Sequence, residues 1–400
     1  MSLTEEMLLE DIRQRLFSPA QSVSPRAVGA ELELIPIDAQ TKRVVPAQGG
    51  ARSSSGALSA LAEREGWHEE KNERDPSSWN LPDGARISFE PGGQIEISSS
   101  PHHTTSSLIS ALQQLAGTIR KEMAADGIEL LARGVDPYND IAAVPLQLHR
   151  ERYTRMTDFF NSLGPSGVRM MRQTAALQIN VERGGDPTSR WLLLNALAPL
   201  VIALFANSRA YAGSDTRHVS YRAHLWRTLD GSRTGLAWDG TDPAHHYLRF
   251  ALNALAMRSS KGEPTRYQSF MSWMRSADLS LDDWHFHLST LFPEVRPKAY
   301  FEVRSADTID IQWLAAPIVF VTGLIYDPDT ARSAMSLLGA PSPDLLERAG
   351  RRGLSDPELR RLVGAVAELS LSGARALGSG YLDNAHVESA REYFARALDA

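Results

Sequence analysis

Polar and apolar residues alternate along four segments of the chain, with the period of two residues that is typical of β-strands. The segments lie at about 28–37, 87–97, 175–182 and 300–305. In each of them the apolar side chains share one face of the predicted strand, and the polar side chains share the other. An antiparallel sheet that covers a core with one face produces this alternation, so the pattern predicts such a sheet.

The second segment predicts a β-hairpin, with two strands joined by the loop Pro91-Gly92-Gly93. Pairing Ser88 with Glu96 across this hairpin places Glu90 and Glu96 on one face and the isoleucines and Phe89 on the other. No basic residue lies between the two carboxylates. Because like charges that close repel each other, we expect a cation over them, and a hard divalent metal ion is the natural candidate.

Helical periodicity predicts α-helices in most of the remaining chain. The predicted strands and helices do not follow the regular strand–helix–strand order of a parallel sheet. This order favours the α+β class, with an antiparallel sheet. The apolar run Trp191–Ala206 is short for a membrane span and contains Asn195 and Pro199, so we interpret it as a buried helix. Predicted helices lie at the N-terminus and at about 57–66, 106–126, 188–207 and from 311 onward, a further strand at 128–134, and irregular segments at 38–55, 135–153 and 208–240.

Composition excludes several classes of protein. The 400 residues are 42% hydrophobic and 22% charged, with a formal net charge of −6, which argues against nucleic-acid binding. The sequence contains no cysteine, so disulfides, thiolate metal sites and cysteine nucleophiles are excluded. The N-terminus is acidic and amphipathic, unlike a signal peptide. We therefore expect a cytoplasmic protein that does not span a membrane.

Length alone suggests two or three domains. However, no internal repeat or long linker interrupts the sequence. We therefore expect residues 1–400 to form a single catalytic domain, with a core at about 28–330 and a helical C-terminal part at 331–400.

The polar faces of the predicted strands have an unusual content, because they carry paired glutamates, amides and one arginine. Five clustered carboxylates would suit two or more Mg²⁺ ions, which commonly hold nucleotide phosphates. For any single strand, an ordinary solvated face remains open as the simpler interpretation. The residues of these faces are Glu31, Glu33, Glu90, Glu96, Gln178, Asn180, Glu182, Glu302 and Arg304.

Other motifs are weaker. No P-loop and no G-x-G-x-x-G after a strand is present, so a nucleotide would be held in another way. Arginines of segment 208–240, among them Arg222 and Arg233, could bind phosphate or carboxylate, and a solvated basic loop is the alternative. His285 and His287 have the spacing of one strand face, but zinc would need a third ligand. Three tryptophans, Trp226, Trp238 and Trp284, are interpreted as packing residues.

Several motifs together resemble the plant and proteobacterial type of glutamate–cysteine ligase, known as glutamate–cysteine ligase family 2. The hairpin ISFEPGGQIEISSSP is similar to the family's EPGGQ-E-S-P signature. The resemblance continues in the same order through residues 28–330. Its further segments are GAELEL, GVDPYND with PLQLHRERY, MMRQTAALQINVE, LFANSRAYAG with VSYRAHLWRTLDGSRTG, and HLSTLFPEVRPKAYFEVRSAD.

The resemblance implies a glutamine-synthetase-like fold, in which a curved antiparallel sheet carries the active site on its concave face and helices pack outside. It also implies ATP as co-substrate and two or three Mg²⁺ ions. The metal ligands would be Glu31, Glu33, Glu90, Glu96 and Glu302; Arg304 would act with Glu302 in catalysis by contacting the transferred phosphoryl group; and Thr174, Gln178, Asn180, Tyr221, Arg222 and Arg233 would bind substrate or ATP.

The reaction that this resemblance implies joins L-glutamate to L-cysteine through γ-glutamyl phosphate, in thiol biosynthesis of the glutathione type, by a monomer or homodimer. Three alternatives stay open: a ligase with another amine acceptor, a guanidino phosphotransferase of the same fold type, and a binding protein without activity. Two departures from the family's pattern concern the acceptor and regulation. This chain reads Thr174-Ala175-Ala176 where relatives often read T-C-T, and it lacks the cysteines of redox regulation in plants.

Overall fold

The computed structural model describes residues 3–20, 26–50, 52–235, 242–257 and 267–400. Trp238 and the end of segment 208–240 lie outside these ranges. The strands are β1 (Val28–Asp38), β2 (His68–Glu70), β3 (Ser78–Asn80), β4 (Arg86–Phe89), β5 (Ile95–Ser98), β6 (Ile128–Leu131), β7 (Ala176–Val181), β8 (Ala210–Tyr211), β9 (Ser214–Asp215), β10 (Thr234–Gly235), β11 (Phe292–Pro293), β12 (Val295–Pro297) and β13 (Phe301–Asp307).

The helices surround this set of strands, and short 3₁₀ helices at Ile141–Ala143, Ile311–Trp313 and Gly353–Ser355 connect some of them. The α-helices are α1 (Glu5–Leu16), α2 (Ser54–Glu65), α3 (Thr105–Ala125), α4 (Glu151–Leu163), α5 (Pro165–Gln173), α6 (Pro187–Leu204), α7 (Tyr221–Thr228), α8 (Pro243–Asn253), α9 (Phe270–Ser276), α10 (Leu281–Ser289), α11 (Ala315–Ile325), α12 (Pro328–Leu338), α13 (Pro343–Arg352), α14 (Pro357–Ala376) and α15 (Asn384–Asp399).

One large sheet organises the fold. In the described part of the chain its strands follow the order β12-β13-β7-β1-β5-β4-β3-β2, and β6 pairs with the second half of β1. Neighbouring strands in this order are antiparallel. The predicted α+β architecture with an antiparallel sheet is therefore confirmed. The four segments whose alternation predicted strands are β1, the β4–β5 hairpin, β7 and β13.

The apolar face of the sheet covers the main core. Leu32 of β1, Ile97 of β5, Ile179 of β7 and Val303 of β13 are buried in one hydrophobic cluster with residues of α3, α6, α11, α14 and α15. In this cluster α6 is almost wholly buried, as its predominantly apolar sequence predicts. The first and last helices of the chain contribute to the same core.

A second hydrophobic cluster lies on the opposite side of the sheet. It combines Phe159 and Phe160 of α4 with residues of α5 and α7 and with Phe292 of β11. Met156, Met170, Met171 and Trp226 of these helices line the same cavity as the glutamates of the sheet. The polar face is consequently covered by a cap of helices, and a cleft lies between this cap and the sheet.

Two sequence-based predictions are wrong. Segment 208–240 contains β8, β9, α7 and β10 within its described residues, so it is not a long loop. The helix α7 begins where the Ser220 side chain accepts a hydrogen bond from the Ala223 amide, a local cap that overrides the polar composition. His285 and His287 lie on helix α10 and not on a strand; His285 Nε2 is 3.0 Å from Asp11 Oδ1, and His287 Nε2 is 2.7 Å from the Ala251 carbonyl oxygen.

By length and composition, one helix among the described residues could cross a membrane, and it is α6. The bent pair formed by 311–325 and 328–338 passes the same criterion only as a unit, with an angle of 95° between its halves. Because 78% of α6 is buried inside the fold, it serves here as a helix of the protein core.

Candidate active site

The register of the sheet brings the glutamates of distant segments together. Glu33 of β1 lies opposite Glu96 of β5, and Glu31 lies opposite Gln178 of β7. On the next strand, Glu302 of β13 lies opposite Asn180. Because cross-strand partners point to the same face, these side chains form one continuous polar surface. The predicted hairpin register, with Ser88 opposite Glu96, is confirmed.

The hairpin loop is held tightly from two sides. Gln147 donates from its backbone amide to the Pro91 carbonyl oxygen (2.8 Å) and from Nε2 to the Gly92 carbonyl oxygen (2.8 Å). A Cβ atom on Gly92 would lie 1.9 Å from the carbonyl oxygen of Arg172, at the end of α5. Gly93 has a φ of +90°, a conformation that few other residues adopt. Positions 92 and 93 therefore require glycine. The loop fixes the register that keeps Glu90 and Glu96 on one face of the hairpin.

Glu31, Glu33, Glu90 and Glu96 form an acidic wall of the cleft. Burial and mutual repulsion dominate the electrostatics of this wall. Burial, followed by the charge of Glu96, raises the pKa of Glu33 to about 7. Burial and the neighbouring Glu96 and Glu33 carboxylates raise the pKa of Glu90 well above its usual range. The pKa of Glu31 is also raised, by burial and then by Glu302 and Glu96. Without a bound cation, this wall therefore retains protons that free carboxyl groups would lose.

Glu302 has different surroundings from the other four glutamates. Arg296 Nη2 lies 2.7 Å from Glu302 Oε1, and Lys298 and Arg304 also form ion pairs with this carboxylate. Although burial opposes it, the charges of Arg296, Arg304 and Lys298 hold the pKa of Glu302 far below its usual range. The Glu302 carboxylate is fully buried, and its charge is balanced by the protein itself.

The cleft surrounds a cavity of about 170 Å³. A basic wall is formed by Arg152, Arg222, Arg296 and Arg304, and an apolar end is formed by Met156, Met170 and Phe292. Three residues that line the cavity, Arg152, Tyr153 and Arg296, were not predicted as site residues, although all three lie in motifs of the family resemblance. Burial and then the charge of Glu90 raise the pKa of Tyr153 to about 12. Membership of a motif was the signal that could have identified them. The cavity is lined by Glu31, Glu33, Glu90, Pro91, Gln94, Glu96, Arg152, Tyr153, Met156, Met170, Met171, Thr174, Gln178, Arg222, Trp226, Phe292, Arg296 and Arg304.

Three predicted pocket residues lie on or beside β7. Gln178 joins the two walls, because its Nε2 donates to Glu33 Oε1 (3.0 Å) and its Oε1 accepts from Arg304 Nη1 (2.7 Å). Asn180 donates to Glu31 Oε1 (3.1 Å) and lies beside the cavity. Thr174 lines the cavity, and its hydroxyl donates to the Met170 carbonyl oxygen (2.7 Å). The structure brings all three to the polar face.

The structure places the predicted substrate-binding residues of segment 208–240 in different surroundings. Arg222 lines the cavity, and its Nη2 donates to the Arg304 carbonyl oxygen (2.8 Å). Tyr221 lies outside the cavity, and its hydroxyl accepts from Arg169 Nη1 (3.1 Å). Arg233, the third of these predicted residues, does not line the cavity. This side chain is fully buried and is bound to other groups of the protein, namely the Asp230 carboxylate (2.7 Å) and the carbonyl oxygens of Thr290 (2.9 Å) and Leu255 (2.5 Å).

The acidic wall suits a divalent cation in its chemistry. Mg²⁺ prefers oxygen ligands, and burial together with the adjacent Glu96 carboxylate raises the pKa of Glu90 well above its usual range, as expected of crowded carboxyl groups without a counter-charge. In the ranges that the structure describes, no three His, Asp or Glu side chains already surround one point as metal ligands would. Glu31, Glu33, Glu90 and Glu96 thus provide a fitting donor set whose coordination geometry is not preformed.

Known proteins match most of the chain. A family model described as glutamate-cysteine ligase family 2 matches residues 27–366. The glutamate–cysteine ligase EgtA of Mycolicibacterium smegmatis is 35% identical over 317 residues, which cover 74% of this chain and 72% of that protein. The chloroplastic glutamate–cysteine ligase A of Oryza sativa subsp. japonica is 29% identical over 406 residues, which cover 94% of this chain and 80% of the relative.

A solved structure shares the fold. The crystal structure of a glutamate–cysteine ligase from Francisella tularensis, in complex with AMP, matches with a TM-score of 0.50 and 12% identity. The match covers 96% of this chain and 83% of that one. At this low identity the similarity concerns the fold alone.

Proposed function

Because the chain belongs to glutamate–cysteine ligase family 2, and so to the ATP-dependent ligases, we propose that it joins L-glutamate to L-cysteine and forms γ-glutamylcysteine. The observation that carries this proposal is the placement of an acidic wall and a basic wall around one cleft. An ATP-dependent ligase needs both, because metal ions and arginines together offset the charge of a transferred phosphoryl group.

The first step that we propose is phosphoryl transfer. An oxygen of the substrate γ-carboxylate attacks the γ-phosphorus of ATP; the new O–P bond forms as the bond to the ADP oxygen breaks. Arg304, which lies between Gln178 and Glu302, is suited to contact the transferred group. Arg152, Arg222 and Arg296 line the same cavity and supply further charge. The products of this step are γ-glutamyl phosphate and ADP.

In the second step the amine nitrogen of cysteine attacks the acyl carbon of γ-glutamyl phosphate. The C–N bond forms, the bond from carbon to the phosphate oxygen breaks, and the proton lost by the amine leaves with the phosphate. No side chain of the protein forms a covalent bond in either step. Water must be kept away from the acyl phosphate, and the cap of α4, α5 and α7 over the sheet supports this role.

Mg²⁺ is part of the proposal, as two or three ions held by Glu31, Glu33, Glu90 and Glu96. These ions would neutralise charge on the ATP phosphates. Glu302 is the fifth candidate ligand, and it would have to exchange at least one of its basic partners for a metal ion. The raised pKa of Glu33 and of Glu90 supports a cation on this wall, because carboxyl groups crowded in this way lack a counter-charge.

The apolar end of the cleft supports an acceptor with a small, soft side chain. Met156, Met170 and Phe292 line this end, and thioether sulfur is polarisable and adapts to irregular shapes. A CH₂–SH group suits such surroundings better than a charged side chain would. We also propose that the product enters thiol biosynthesis of the glutathione type and that the protein is cytoplasmic, which cell fractionation can test.

The test uses the whole chain with ATP, Mg²⁺, cysteine and L-glutamate that carries ¹⁸O in its γ-carboxylate. We expect the γ-glutamyl dipeptide by mass, ADP release that requires glutamate, and transfer of one ¹⁸O atom to inorganic phosphate. Dipeptide without ¹⁸O in the phosphate would contradict the acyl-phosphate step. A panel of other amines tests the acceptor, since a product formed faster with another amine would contradict cysteine.

A further inference from the structure

Trp226 contacts two arginines of the cleft, Arg222 on helix α7 of the cap and Arg304 on strand β13 of the sheet. The guanidinium carbon of Arg222 lies 5.0 Å from the centre of the indole ring, and that of Arg304 also lies 5.0 Å from it. Trp226 is only 5% exposed, and it lines the cavity together with both arginines. Trp226 belongs to the second hydrophobic cluster, as the predicted packing role implies, and its ring also lies against the two guanidinium groups of the cleft.

The two guanidinium groups form a pair that needs stabilisation. Arg222 Nη2 donates to the carbonyl oxygen of Arg304 (2.8 Å), which keeps the two like charges close together. Arg222 forms an ion pair with Asp307 (3.9 Å), and Arg304 forms one with Glu302. Within the described residues, the buried Nε atoms of Arg222 and Arg304 have no hydrogen-bond partner. The pair therefore retains unused donors, as expected of a site that receives an anion.

The indole ring is itself fixed in place. Trp226 Nε1 donates to the Phe292 carbonyl oxygen (2.8 Å). Its helix α7 begins at Ser220, whose hydroxyl donates to Asp307 Oδ1 (3.0 Å) and whose backbone amide donates to the Gly350 carbonyl oxygen (3.0 Å). The indole ring is therefore anchored directly to β11, and the start of its helix is anchored to β13 and α13.

We propose that Trp226 is a positioning residue, whose ring holds Arg222 and Arg304 as a paired cation for the transferred phosphoryl group. An aromatic face attracts a guanidinium group and lets it stack with its planar fork directed at an oxyanion. Preorganised charges of this kind act on the transition state without further rearrangement. This inference rests on the proposed function, because it takes Arg304 as the contact of that phosphoryl group.

The experiment is a double-mutant cycle on kcat for ADP formation, with Trp226→Leu, Arg304→Lys and the combined variant. We expect Trp226→Leu to lower kcat roughly 30-fold, the rate equivalent of the ~2 kcal/mol that a desolvated cation–π contact contributes. KM for glutamate and for cysteine should change little, because the pair acts in the transition state. In the Arg304→Lys background, Trp226→Leu should cost no more than about threefold, since its effect passes through the arginine.

Trp226→Phe is the conservative variant, because it keeps an aromatic face, although a smaller one, and loses the indole N–H. Its kcat should lie between those of the wild type and Trp226→Leu. If Trp226→Leu does not fold, the cycle is completed with Trp226→Phe. Wild-type kcat in the Trp226 variants, effects that add in the cycle, or a change in the KM for cysteine alone would each overturn the inference.

Trp284→Phe is the matched control. Trp284 is fully buried, packs against Phe270 at 5.2 Å between ring centres and donates from Nε1 to Asp11 Oδ2 (3.1 Å), away from the cleft. It should lose stability as Trp226→Phe does and keep the wild-type kcat. The two proposals fail separately. A wild-type protein that forms no γ-glutamylcysteine contradicts the proposed function, whereas ATP turnover at the wild-type rate in Trp226→Leu, with whichever amine supports it, contradicts the positioning role.

Discussion

Glu33 and Glu96 lie directly opposite each other on adjacent strands, in the middle of the sheet. Two carboxylates in directly opposed positions destabilise a sheet, and Glu90 lies close enough to Glu96 for a hydrogen bond between their side chains. A sheet assembled for stability alone would not have this arrangement. The unfavourable contact is explained if a ligand with positive charge completes the site.

Replacing Glu96 with Gln should lower the rate of Mg²⁺-dependent ATP turnover by roughly 100-fold or more, since mutating even the supporting partners of metal ligands costs about 10–100-fold. The fold should stay intact, because the amide has the same shape and removes a repulsion. Steady-state ADP formation and circular dichroism would measure the two effects. Glu182→Gln is the control, since this glutamate of the same polar face does not line the cavity and should keep full activity. Normal turnover in Glu96→Gln would contradict the metal assignment.

The effect of Mg²⁺ on stability should depend on pH. Folding raises the pKa of Glu33 from 4.5 to about 7. A protonated Glu33 therefore stabilises the native state below pH 4.5, and this contribution is lost as the pH rises through about 7. Mg²⁺ competes with that proton, so the rise in Tm on adding Mg²⁺ should be larger at pH 8 than at pH 5.5. Glu33→Gln should weaken this dependence, and a rise in Tm that is equal at both pH values would count against the site.

His287 should make the protein sensitive to acid. Burial lowers its pKa from 6.5 to about 3, and its ring stacks on Phe270 at 4.5 Å between ring centres. The contribution of neutral His287 to the free energy of unfolding is fully present above pH 6.5 and is lost as the pH falls toward 3. At pH 5 the loss is about 2 kcal/mol. Urea unfolding of wild type and His287→Gln at pH 7 and pH 5 tests this expectation. The variant should lose less stability between the two pH values, and an equal loss in both proteins would refute the role of His287.

Gly92→Ala should disrupt the hairpin loop, because the new Cβ atom would meet the Arg172 carbonyl oxygen at 1.9 Å. Overpacking of this kind costs about 1–3 kcal/mol, and the shift of the loop should also lower activity by moving Glu90. Urea unfolding and ATP turnover would show both losses. Gly231→Ala is the matched control, since no atom lies within 4 Å of its Cβ position. If Gly92→Ala unfolds at the same urea concentration as the control, the loop is more tolerant than its contacts indicate.

Met156→Ala should affect the amine acceptor. Removing part of the apolar end of the cleft should raise KM for cysteine roughly tenfold, as expected for a lost apolar contact of about 1–3 kcal/mol. KM for ATP should be unchanged, because the phosphates bind at the charged walls. Met335→Ala on α12 serves as control, since this residue packs against the main core and not at the cleft. A rise in KM for ATP instead of cysteine would place the acceptor elsewhere.

The sheet could be predicted from the sequence because its signal is local. Alternation along β1, β5, β7 and β13 shows which residues share a face, and the hairpin loop sets one register directly. The register between β1 and β7, which brings Glu31 opposite Gln178, has no local signal. Resemblance to a family predicted that Glu31 and Gln178 belong to one site, and the structure supplied the register that brings them together.

The cap and its ligands could not be predicted in the same way. Arg222 and Arg233 have similar polar neighbours in sequence, and only Arg222 lines the cleft. Arg233 is held by carbonyl oxygens of Thr290 and Leu255, which belong to distant segments. The exposure of a charged side chain depends on such nonlocal partners, and composition does not reveal them. The same holds for Trp226, whose neighbours come from β11 and β13.

The central position of β1 in the sheet has a consequence for synthesis of the chain. Glu31 faces Gln178, and 147 residues separate the two in sequence. At a translation rate of ~5–20 residues per second, β1 leaves the ribosome roughly 7–30 s before its partner β7. During that interval its apolar face, with Leu32 and Leu34, lacks a neighbour on one side. The edge of β1 that pairs with β7 therefore stays unpaired until the second half of the sheet has emerged.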